Sequence, residues 1–546
     1  MVRRATCPVQ VGDVVIGGGG EPIIQSMTST PTHDVEATWS QVLRLYRGGS
    51  RIVRIAVPDQ RALSALPALH AVRQRSEESI PLVGDIHFSL EIALDSLKWL
   101  EKIRVNPGNL LEHPRSRARG TAPVADAVAP LRRLFREAAT RGRAVRIGVN
   151  QGSLSRRMVE TLGAGPEAMV ASAMEYVEVA AEEGFNDLVI SLKSSDPREV
   201  VEANLQLAAR CDYPLHVGVT EAGFGLQGRA RSASGVGLLL RHGIADTIRV
   251  SLAEPPEDEL PVAAALVKAA RPLLVPGAKL RSRPVVGVQV RAKEIHPLVF
   301  TRTKVDDGDA WIHDPETSMV LRVVDPSAVH APSVEATVLR IVGSPASPGA
   351  LAAMLNELLK AALPPGVREI QLPFPGAQAG GEDHLTDALR RLDLPLTWEA
   401  SVRSLDDLMR IMVDMAQLAE AGAMQHVELD LGGGPEADRE SALDILQGLG
   451  TGQWRAAIIA CPQCGRCRID VSTLAADVRR RLGERCGVTI GVMGCIVNGP
   501  GEMQGADIGC VGEGPGKVAL YRRGQLVARG VPVEEATERL EALLSS

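Results

Sequence analysis

The runs RIVRIAVP (51–58), PLVGDIHF (81–88) and KIRVNPGN (102–109) decide the fold, because each is a short β-branched stretch followed by a helical one. The segment REVVEANLQLAAR (198–210), for example, places apolar residues four and then three positions apart, which is a helical stripe. Five further strand-like runs are PIIQSMT (22–28), AVRIGVNQG (144–152), DLVISLKSS (187–195), PLHVGVTEAG (214–223) and TIRVSL (247–252). Eight strand–helix units in the first ~275 residues predict a (β/α)8 barrel of the TIM type, with an open doubly wound sheet as the alternative.

Each predicted strand has one aliphatic face and one polar face, because side chains alternate between the two sides of a strand. The polar face is unusual, since barrel interiors are normally filled by branched apolar side chains. Its candidate binding residues are Arg54, Asp85, His87, Arg104, Asn106, Arg146, Asn150, Lys193, Arg249 and Ser251. Five of them are cations from five different strands, and a buried charge without a partner is strongly destabilising. We therefore expect a bound anion in the barrel mouth, and a phosphorylated substrate suits the planar fork of arginine.

Two glycine-rich stretches receive different interpretations. GFGLQGRARSASG (223–235), which contains Arg231 and Ser232, follows the seventh strand, where barrels often bind phosphate at a helix N-terminus. We include Arg231 and Ser232 among the candidate substrate-binding residues. The early GGGG (17–20) follows VQVGDVVI, so it predicts a turn beside an N-terminal hairpin and not a nucleotide loop.

The chain of 546 residues is long enough for three to four domains at ~150 residues each. We predict a substrate-binding barrel over 1–275, an inserted α/β domain resembling a partial barrel over 276–454, and a small α+β domain over 455–546. The middle segment has no cysteine and no row of inward cations, so we expect it to act as a spacer.

Composition excludes several classes of protein. Sixty Lys and Arg against 66 Asp and Glu give a net charge of −6, which does not favour nucleic-acid binding. No apolar run approaches the ~18 residues of a membrane span, and the N-terminus lacks the apolar core of a signal peptide. A cytoplasmic protein that binds neither nucleic acid nor membrane is therefore expected.

Six of the eight cysteines fall between 461 and 510, and four of these lie in two short motifs. ACPQCGRC (460–467) contains Cys461, Cys464 and Cys467, and GVMGCIVNGPGE (491–502) contains Cys495. An iron–sulfur cluster on three or four of these cysteines explains the spacing best. Structural zinc, a thioredoxin-like dithiol and unligated cysteines are the alternatives. The four remaining cysteines, Cys7, Cys211, Cys486 and Cys510, are interpreted as buried small apolar residues.

These motifs are long enough to indicate a family. CPQCGRC followed by MGCIVNGPGE, after a barrel with IVRIAVP, DIHF, RVNPGN, RIGVNQGSL and GVTEAG, resembles the 4-hydroxy-3-methylbut-2-enyl diphosphate synthases of the non-mevalonate isoprenoid pathway. The resemblance covers residues 8–255 and 455–520. The middle segment departs from the two-domain bacterial form and resembles the insert of a three-domain form.

The resemblance implies a reaction and a set of site residues. The reaction is the reductive opening and dehydration of 2-C-methyl-D-erythritol 2,4-cyclodiphosphate, with two electrons from a ferredoxin or a flavodoxin. A [4Fe–4S] cluster would be held by Cys461, Cys464 and Cys495, with Glu502 as its fourth ligand. Glu221 and Glu502 would be the catalytic carboxylates, with Glu221 near the reacting carbons. Arg54, Arg104, Asn106, Arg146, Asn150, Lys193, Arg249 and Ser251 are the positions carried over for substrate binding.

The sequence also offers alternatives for the ligand set, the function and the assembly. Cys467 is a rival fourth ligand, because its spacing matches the consecutive cysteines of bacterial ferredoxins. A barrel-type methyltransferase or binding protein with a structural metal site, or an electron carrier, are the alternative functions. The cluster domain is expected to close over a barrel mouth, with hinge motion near 275 and 455 and an open state in the absence of substrate. Whether it caps its own barrel or that of a partner in a homodimer is not decided by the sequence.

Overall fold

The structure is a computed structural model in which the chain forms two compact units. One unit combines Met1–Val267 with Gln453–Ser546, and the other spans Lys268–Gly452. The described residues are 3–106, 108, 110, 128–271, 303–304, 310–313, 320–324, 338–341, 345, 347–360, 369–376, 378, 380–392, 396–424, 426–497, 499–503 and 505–545.

Eight parallel strands form a nearly closed barrel in the first unit. After the hairpin strands β1 (Val9–Val11) and β2 (Val14–Ile16) come β3 (Ile23–Met27), β4 (Ile52–Ala56), β5 (Leu82–Ile86), β6 (Lys102–Val105), β7 (Ala144–Asn150), β8 (Leu188–Lys193), β9 (His216–Val217) and β10 (Thr247–Ile248). Neighbours follow the order β8-β7-β6-β5-β4-β3-β10-β9, and a parallel bridge between Ile190 and Leu215 joins the two ends. The predicted TIM-type barrel is therefore confirmed.

Helices alternate with the barrel strands, as the apolar stripes predict. They span Val35–Arg47, Gln60–Gln74, Leu90–Ser96, Ala129–Thr140, Arg156–Leu162, Pro166–Glu182, Pro197–Ala208, Gly225–Ser232, Leu238–Arg241 and Pro256–Lys268. Several begin at a side-chain cap: Asp34 accepts a hydrogen bond from the backbone N–H of Ala37, and Asp59 accepts one from Ala62. Such caps satisfy N–H groups that the first helical turn leaves without partners.

The N-terminal hairpin closes the bottom of the barrel. Its inward residues Val9, Val11, Val14 and Ile16 pack in one buried cluster with Ile52, Val83, Ala144 and Val189, each among the first two residues of a barrel strand. Directly after the hairpin, φ is +82° at Gly17, +64° at Gly18 and +80° at Gly19, which fits the predicted turn. The barrel therefore has an apolar floor, and its polar residues lie above it.

The second unit contains a seven-stranded sheet whose order follows the chain. Its strands are β11 (Thr303–Lys304), β12 (Ala310–His313), β13 (Val320–Val324), β14 (Val338–Ile341), β15 (Glu369–Pro373), β16 (Leu396–Ser401) and β17 (His426–Asp430), parallel from β13 onward. Its helices span Pro348–Lys360, Glu382–Arg391, Leu405–Ala421 and Pro435–Gly448. The predicted α/β character of this segment is confirmed.

The C-terminal residues form a five-stranded mixed sheet within the first unit. The strands are β18 (Ala457–Ala460), β19 (Thr489–Met493), β20 (Ile508–Gly514), β21 (Lys517–Arg522) and β22 (Gln525–Pro532). Helices Val471–Leu482 and Ala536–Ser545 bury an aliphatic core against it, and a single turn spans Gly499–Glu502. This matches the predicted α+β class, while the exact division of the chain into three domains stays a prediction.

In the part of the chain that the structure describes, no helix is both long and apolar enough to cross a lipid bilayer. The interpretation of four cysteines as buried apolar residues holds for Cys510 alone, because Cys7 and Cys486 are exposed and Cys211 is partly exposed.

The floor of the barrel gives a test of the fold. Ile16 is fully buried in the floor cluster, whereas the neighbouring Val15 points outward and is 48% exposed. We expect Ile16→Ala to lower the free energy of unfolding by about 2–5 kcal/mol, because it leaves a cavity under the barrel. Val15→Ala is the matched control and should change it by less than about 0.5 kcal/mol. Denaturant unfolding measures both, and equal losses would contradict the inward packing of the hairpin.

Candidate active site

A cavity at the carboxyl ends of the barrel strands is lined by both parts of the first unit. One wall comes from the barrel and the other from the two cysteine motifs of the same chain. Predicted site residues that line it are Arg54, Asp85, His87, Arg104, Arg146, Asn150, Lys193, Glu221, Arg249, Ser251, Cys461, Cys464, Cys495 and Glu502. The structure thus brings together most of the residues that strand alternation and the family motifs single out.

Three predicted residues do not line this cavity. Asn106 donates a hydrogen bond to the Ser153 hydroxyl at 2.6 Å, and the Ser232 hydroxyl donates to the carbonyl of Gly228 at 3.0 Å. Arg231 donates through Nη1 to the carbonyls of Ala222 and Ile458, both at 2.9 Å. Arg231 therefore links the barrel to strand β18 in this structure.

Strand register explains why the cations converge. In the sheet Arg104 lies opposite Asp85 on one neighbouring strand and opposite Arg146 on the other. Gly148 leaves space for the Arg104 side chain beside strand β7, since a Cβ atom at that glycine would lie 2.4 Å from Nε of Arg104. The polar face therefore depends on a missing side chain as well as on the charged ones.

Asp85 is the centre of a buried ion-pair network. Its carboxylate accepts from Nη1 of Arg104 at 3.3 Å and from Nη1 of Arg466 at 2.6 Å, and Nε2 of His87 lies 3.4 Å away. Burial alone would raise the pKa of Asp85, but the charges of Arg466, Arg54 and the other neighbours hold it well below its usual range. Asp85 is therefore ionised, and it joins the barrel to the loop that carries the cysteines.

The remaining cations have too few anionic partners. Burial, together with repulsion from other arginines, lowers the pKa of Arg54 to about 9 and those of Arg146 and Lys193 well below their usual values. Nε and Nη1 of Arg146 have no hydrogen-bond partner in the described part of the protein. An anion entering the cavity would stabilise this wall by pairing with these groups.

Two carboxylates face each other at the top of the barrel. Glu502 accepts from Nδ2 of Asn150 at 2.8 Å and from the Thr220 hydroxyl at 3.1 Å. Burial and the neighbouring Glu502 raise the pKa of Glu221 well above its usual range, so Glu221 favours the protonated form. Its φ of +48° places a non-glycine residue in the left-handed region, a strained conformation that is often found at functional sites.

The thiols line the opposite wall. The thiol of Cys461 accepts from the backbone N–H of Gly494 at 3.1 Å, and that of Cys467 accepts from the N–H of Cys464 at 3.4 Å. With Cys495 they form a set of four thiols from two turns, all free of disulfides. In the described residues no three His, Cys, Asp or Glu side chains are close enough to hold a single metal ion.

The donor set suits an iron–sulfur cofactor. Thiolates are the usual ligands of such clusters, and a carboxylate is a harder ligand that cluster iron holds less strongly. Four thiols and the Glu502 carboxylate surround one cavity here. The residues present therefore fit the group that the sequence motifs indicate.

Two close contacts between the barrel and the cysteine region were not anticipated from the sequence. Arg466 lies between two of the cysteines of CPQCGRC, and its pairing with Asp85 spans 381 positions of sequence. Gly152 and Gly501 touch so closely that a Cβ at Gly501 would lie 2.1 Å from the Gly152 carbonyl oxygen. The position of Arg466 between two cysteines was the sequence signal that could have indicated its place at the site.

Comparison with known proteins assigns the family. The family model described as the GcpE TIM-barrel domain matches residues 6–264, and that of the GcpE protein C-terminal domain matches residues 457–546. A relative from Leptospira interrogans, named 4-hydroxy-3-methylbut-2-en-1-yl diphosphate synthase (flavodoxin), is 33% identical over 99% of this chain and 96% of its own length. One of the same name from Porphyromonas gingivalis is 34% identical over 99% and 97%. This chain belongs to the 4-hydroxy-3-methylbut-2-en-1-yl diphosphate synthase family.

The family match confirms the resemblance seen in the sequence motifs. Unlike the two domain models, the full-length relatives also align across the middle segment, because they cover nearly the whole chain. Among solved structures, a 7,8-dihydropteroate synthase from Vibrio fischeri is similar to 48% of this chain and 96% of its own, with 13% identity and a TM-score of 0.32.

The histidine in the Asp85 network makes stability depend on pH. Burial and the nearby Arg104 and Arg466 lower the pKa of His87 to about 4, against the opposing effect of Asp85. Between about pH 6.5 and 4 the unfolded chain therefore binds a proton at this histidine that the folded chain does not, so stability falls as pH falls. His87 alone should account for a loss of about 2 kcal/mol between pH 7 and 5.

Denaturant unfolding at these two pH values measures the effect. We expect His87→Asn to lose about 2 kcal/mol less than the wild type over this interval. His33→Asn, which replaces an exposed histidine, is the control and should keep the wild-type difference. An unchanged pH dependence in His87→Asn would show that this histidine takes up a proton in the folded protein.

Proposed function

We infer that this chain forms 4-hydroxy-3-methylbut-2-en-1-yl diphosphate, the product for which its relatives are named. The substrate is 2-C-methyl-D-erythritol 2,4-cyclodiphosphate, whose ring is opened and dehydrated with two electrons. The observation that carries this proposal is the cavity itself, with a surplus of cations on the barrel wall and four cysteine thiols on the other.

The cationic wall would bind the diphosphate. Arg54, Arg146 and Lys193 reach the cavity from separate strands and Arg249 from directly after strand β10, so they can surround the phosphate oxygens. Each charge-assisted hydrogen bond contributes about 1.5–3 kcal/mol. Substrate binding would also relieve the repulsion among these cations, which gives the diphosphate a large share of the binding free energy.

We propose that Cys461, Cys464, Cys495 and Glu502 hold a [4Fe–4S] cluster. When bound, such a cluster supplies low-potential electrons and a Lewis-acidic iron. Support comes from the donor chemistry and from the place of all four residues on one cavity. Cys467 lines the same cavity, so its rival role as fourth ligand is decided by variants and not by its position.

Glu221 would hold a proton beside the reacting carbons. Its buried carboxyl favours the neutral form, and Oε2 has no hydrogen-bond partner in the described part of the chain. A protonated carboxyl can donate its proton to a departing oxygen. Asn150 and Thr220 donate to the neighbouring Glu502. Glu221 would thus hold the proton, whereas Glu502 would serve as the cluster ligand.

The C-terminal part would exclude water from the reaction. Three contacts support a cap formed by the same chain: the Arg466–Asp85 ion pair, the Arg231 bonds to Ala222 and Ile458, and a parallel bridge between Ala222 and Ala460. We propose that each barrel is capped by its own cluster domain.

The relatives' names favour flavodoxin as the electron donor, with ferredoxin as the alternative. A comparison of turnover with reduced flavodoxin and with reduced ferredoxin distinguishes them. A methyl-transferring barrel or a pure electron carrier would turn over the cyclic diphosphate with neither donor.

Anaerobic purification followed by iron and sulfide analysis tests the proposal as a whole. We expect about four iron and four sulfide per chain, as the proposed cluster requires, visible absorbance that is lost in air, and turnover of the cyclic diphosphate with dithionite and a viologen. Zinc in place of iron, or iron without turnover, would contradict it.

The cationic wall predicts a binding defect. Lys193→Ala removes one charge-assisted bond, so we expect KM to rise about 10- to 150-fold, with the cluster spectrum unchanged. Lys98→Ala, which removes an exposed lysine paired with Asp95, is the control and should keep wild-type kinetics. Wild-type KM in Lys193→Ala would exclude this lysine from the binding site.

Variants of the cysteine motifs identify the fourth ligand. We expect Cys467→Ser to keep both iron and activity, and Cys495→Ser to lose the cluster. Glu502→Ala should keep a less stable cluster and lose most of its turnover, because a carboxylate is the displaceable ligand. Iron content and activity measure all three. Loss of iron in Cys467→Ser together with normal turnover of Glu502→Ala would reverse the assignment.

A further inference from the structure

We propose that Glu259 is a positioning residue for substrate binding, which holds the guanidinium of Arg249 so that one amino group faces the anion. Glu259 lies on the helix Pro256–Lys268, outside the residues that line the cavity. The inference rests on the proposed function, because the anion it concerns is the substrate diphosphate.

Glu259 binds Arg249 in a two-point contact. Nε of Arg249 donates to Oε2 at 3.3 Å, and Nη2 donates to Oε1 at 3.3 Å. The backbone N–H of Leu252 also donates to Oε1, at 3.1 Å. Both side chains are almost fully buried, at 3% and 2% exposure. A paired contact of this kind fixes the plane of the guanidinium as well as its position.

This contact leaves a defined part of Arg249 for a ligand. Nη1 is the nitrogen that Glu259 does not bind, and it lies 3.8 Å from Sδ of Met27. Arg249 and Met27 both line the cavity, whereas Glu259 does not. The Glu259 carboxylate therefore occupies the Nε and Nη2 side of the guanidinium, which points away from the cavity. Nη1 is the nitrogen that remains for the anion.

The crowded cations explain why such an anchor is needed. Arg54 donates through Nε to the same Met27 sulfur at 3.0 Å, so two positive groups share one weak acceptor. Without the carboxylate, repulsion would drive Arg249 from the mouth, and holding its long side chain would cost entropy on binding.

Removing the carboxylate has two opposing effects on anion binding. It takes away a negative charge that competes for Arg249, which favours a new anion. In Glu259→Gln it also sets an amide donor against the arginine donors, which forces the guanidinium to turn. We expect the loss of orientation to dominate, because binding strength depends on a preorganised fork.

Binding of inorganic diphosphate to the holoenzyme, measured by calorimetry, tests the proposal together with steady-state kinetics. We expect Glu259→Gln to weaken diphosphate binding and raise KM about tenfold, with kcat within about twofold. Glu259→Asp keeps the charge with a shorter reach, and should show a smaller defect. A purely structural role would lower stability and leave the ratio of KM to kcat unchanged.

The same helix offers a matched control. Glu257 lies two positions earlier, is more exposed, and pairs with Arg44 at 3.1 Å on the outside of the barrel. Glu257→Gln should bind diphosphate like the wild type. If Glu259→Gln does not fold, Glu259→Asp decides, and a wild-type KM in that variant overturns the proposal.

A double variant tests whether Glu259 acts through Arg249. In an Arg249→Ala background we expect Glu259→Gln to cause no further loss of diphosphate binding, whereas an additive loss overturns the proposal. Wild-type binding by Glu259→Gln alone would also overturn it and leave the proposed function intact. Failure of the wild-type holoenzyme to bind diphosphate would instead remove the anion site of the proposed function, and this inference with it.

Discussion

The structure depends on an excess of positive charge enclosed in a barrel. Cations from separate strands point to one space above an apolar floor, where water is scarce and their mutual repulsion is strong. Buried carboxylates offset part of this repulsion, and an anion bound in the mouth would offset more of it. This repulsion favours binding of an anion, because a ligand that pairs with these cations stabilises the folded chain.

Asp85 and Glu259 both offset that positive charge, but they contact different groups. Asp85 accepts hydrogen bonds from Arg104 in the barrel and from Arg466 in the cysteine motif. The same carboxylate therefore offsets barrel charge and joins the barrel to the C-terminal part of the chain. Glu259 pairs with Arg249 from behind and leaves the cavity edge of that arginine open. One carboxylate thus joins two parts of the site, and the other orients a single binding group.

Much of the fold and of the barrel wall could be predicted from the sequence, because a strand has a fixed period of two. Once Arg104 points inward, its neighbours in the register follow, and the cavity contains them. Beyond the strand ends the rule holds for some residues only: Arg249 and Ser251 follow strand β10 and still line the cavity. Asn106 lies past the last strand residue and turns to Ser153, and Arg231 lies on a helix from which its side chain reaches backbone carbonyls. Such contacts depend on the paths of loops, which no periodicity describes.

Arg466 and Glu259 were missed for another reason. Both lie in segments with an evident explanation of their own, a cysteine motif and the acidic first turn of a helix. Their ion-pair partners are set by tertiary contacts. From the sequence alone, such a charged residue cannot be distinguished from one that is exposed to solvent. The family motif found the cysteines because their spacing is local, whereas the ion pairs that orient the barrel cations have no local spacing.

A count of cationic residues also overstates the charge that the barrel presents. Lys102 is fully buried, and burial with repulsion from Arg146 and Arg54 lowers its pKa well below the usual value. His216 is buried and shifted in the same direction, mainly by its burial. Arg104 and Arg249, by contrast, each pair with a buried carboxylate, Asp85 and Glu259 respectively. The carboxylates therefore reduce the total charge of the barrel interior, and in our proposal Glu259 also turns the remaining edge of Arg249 toward the anion.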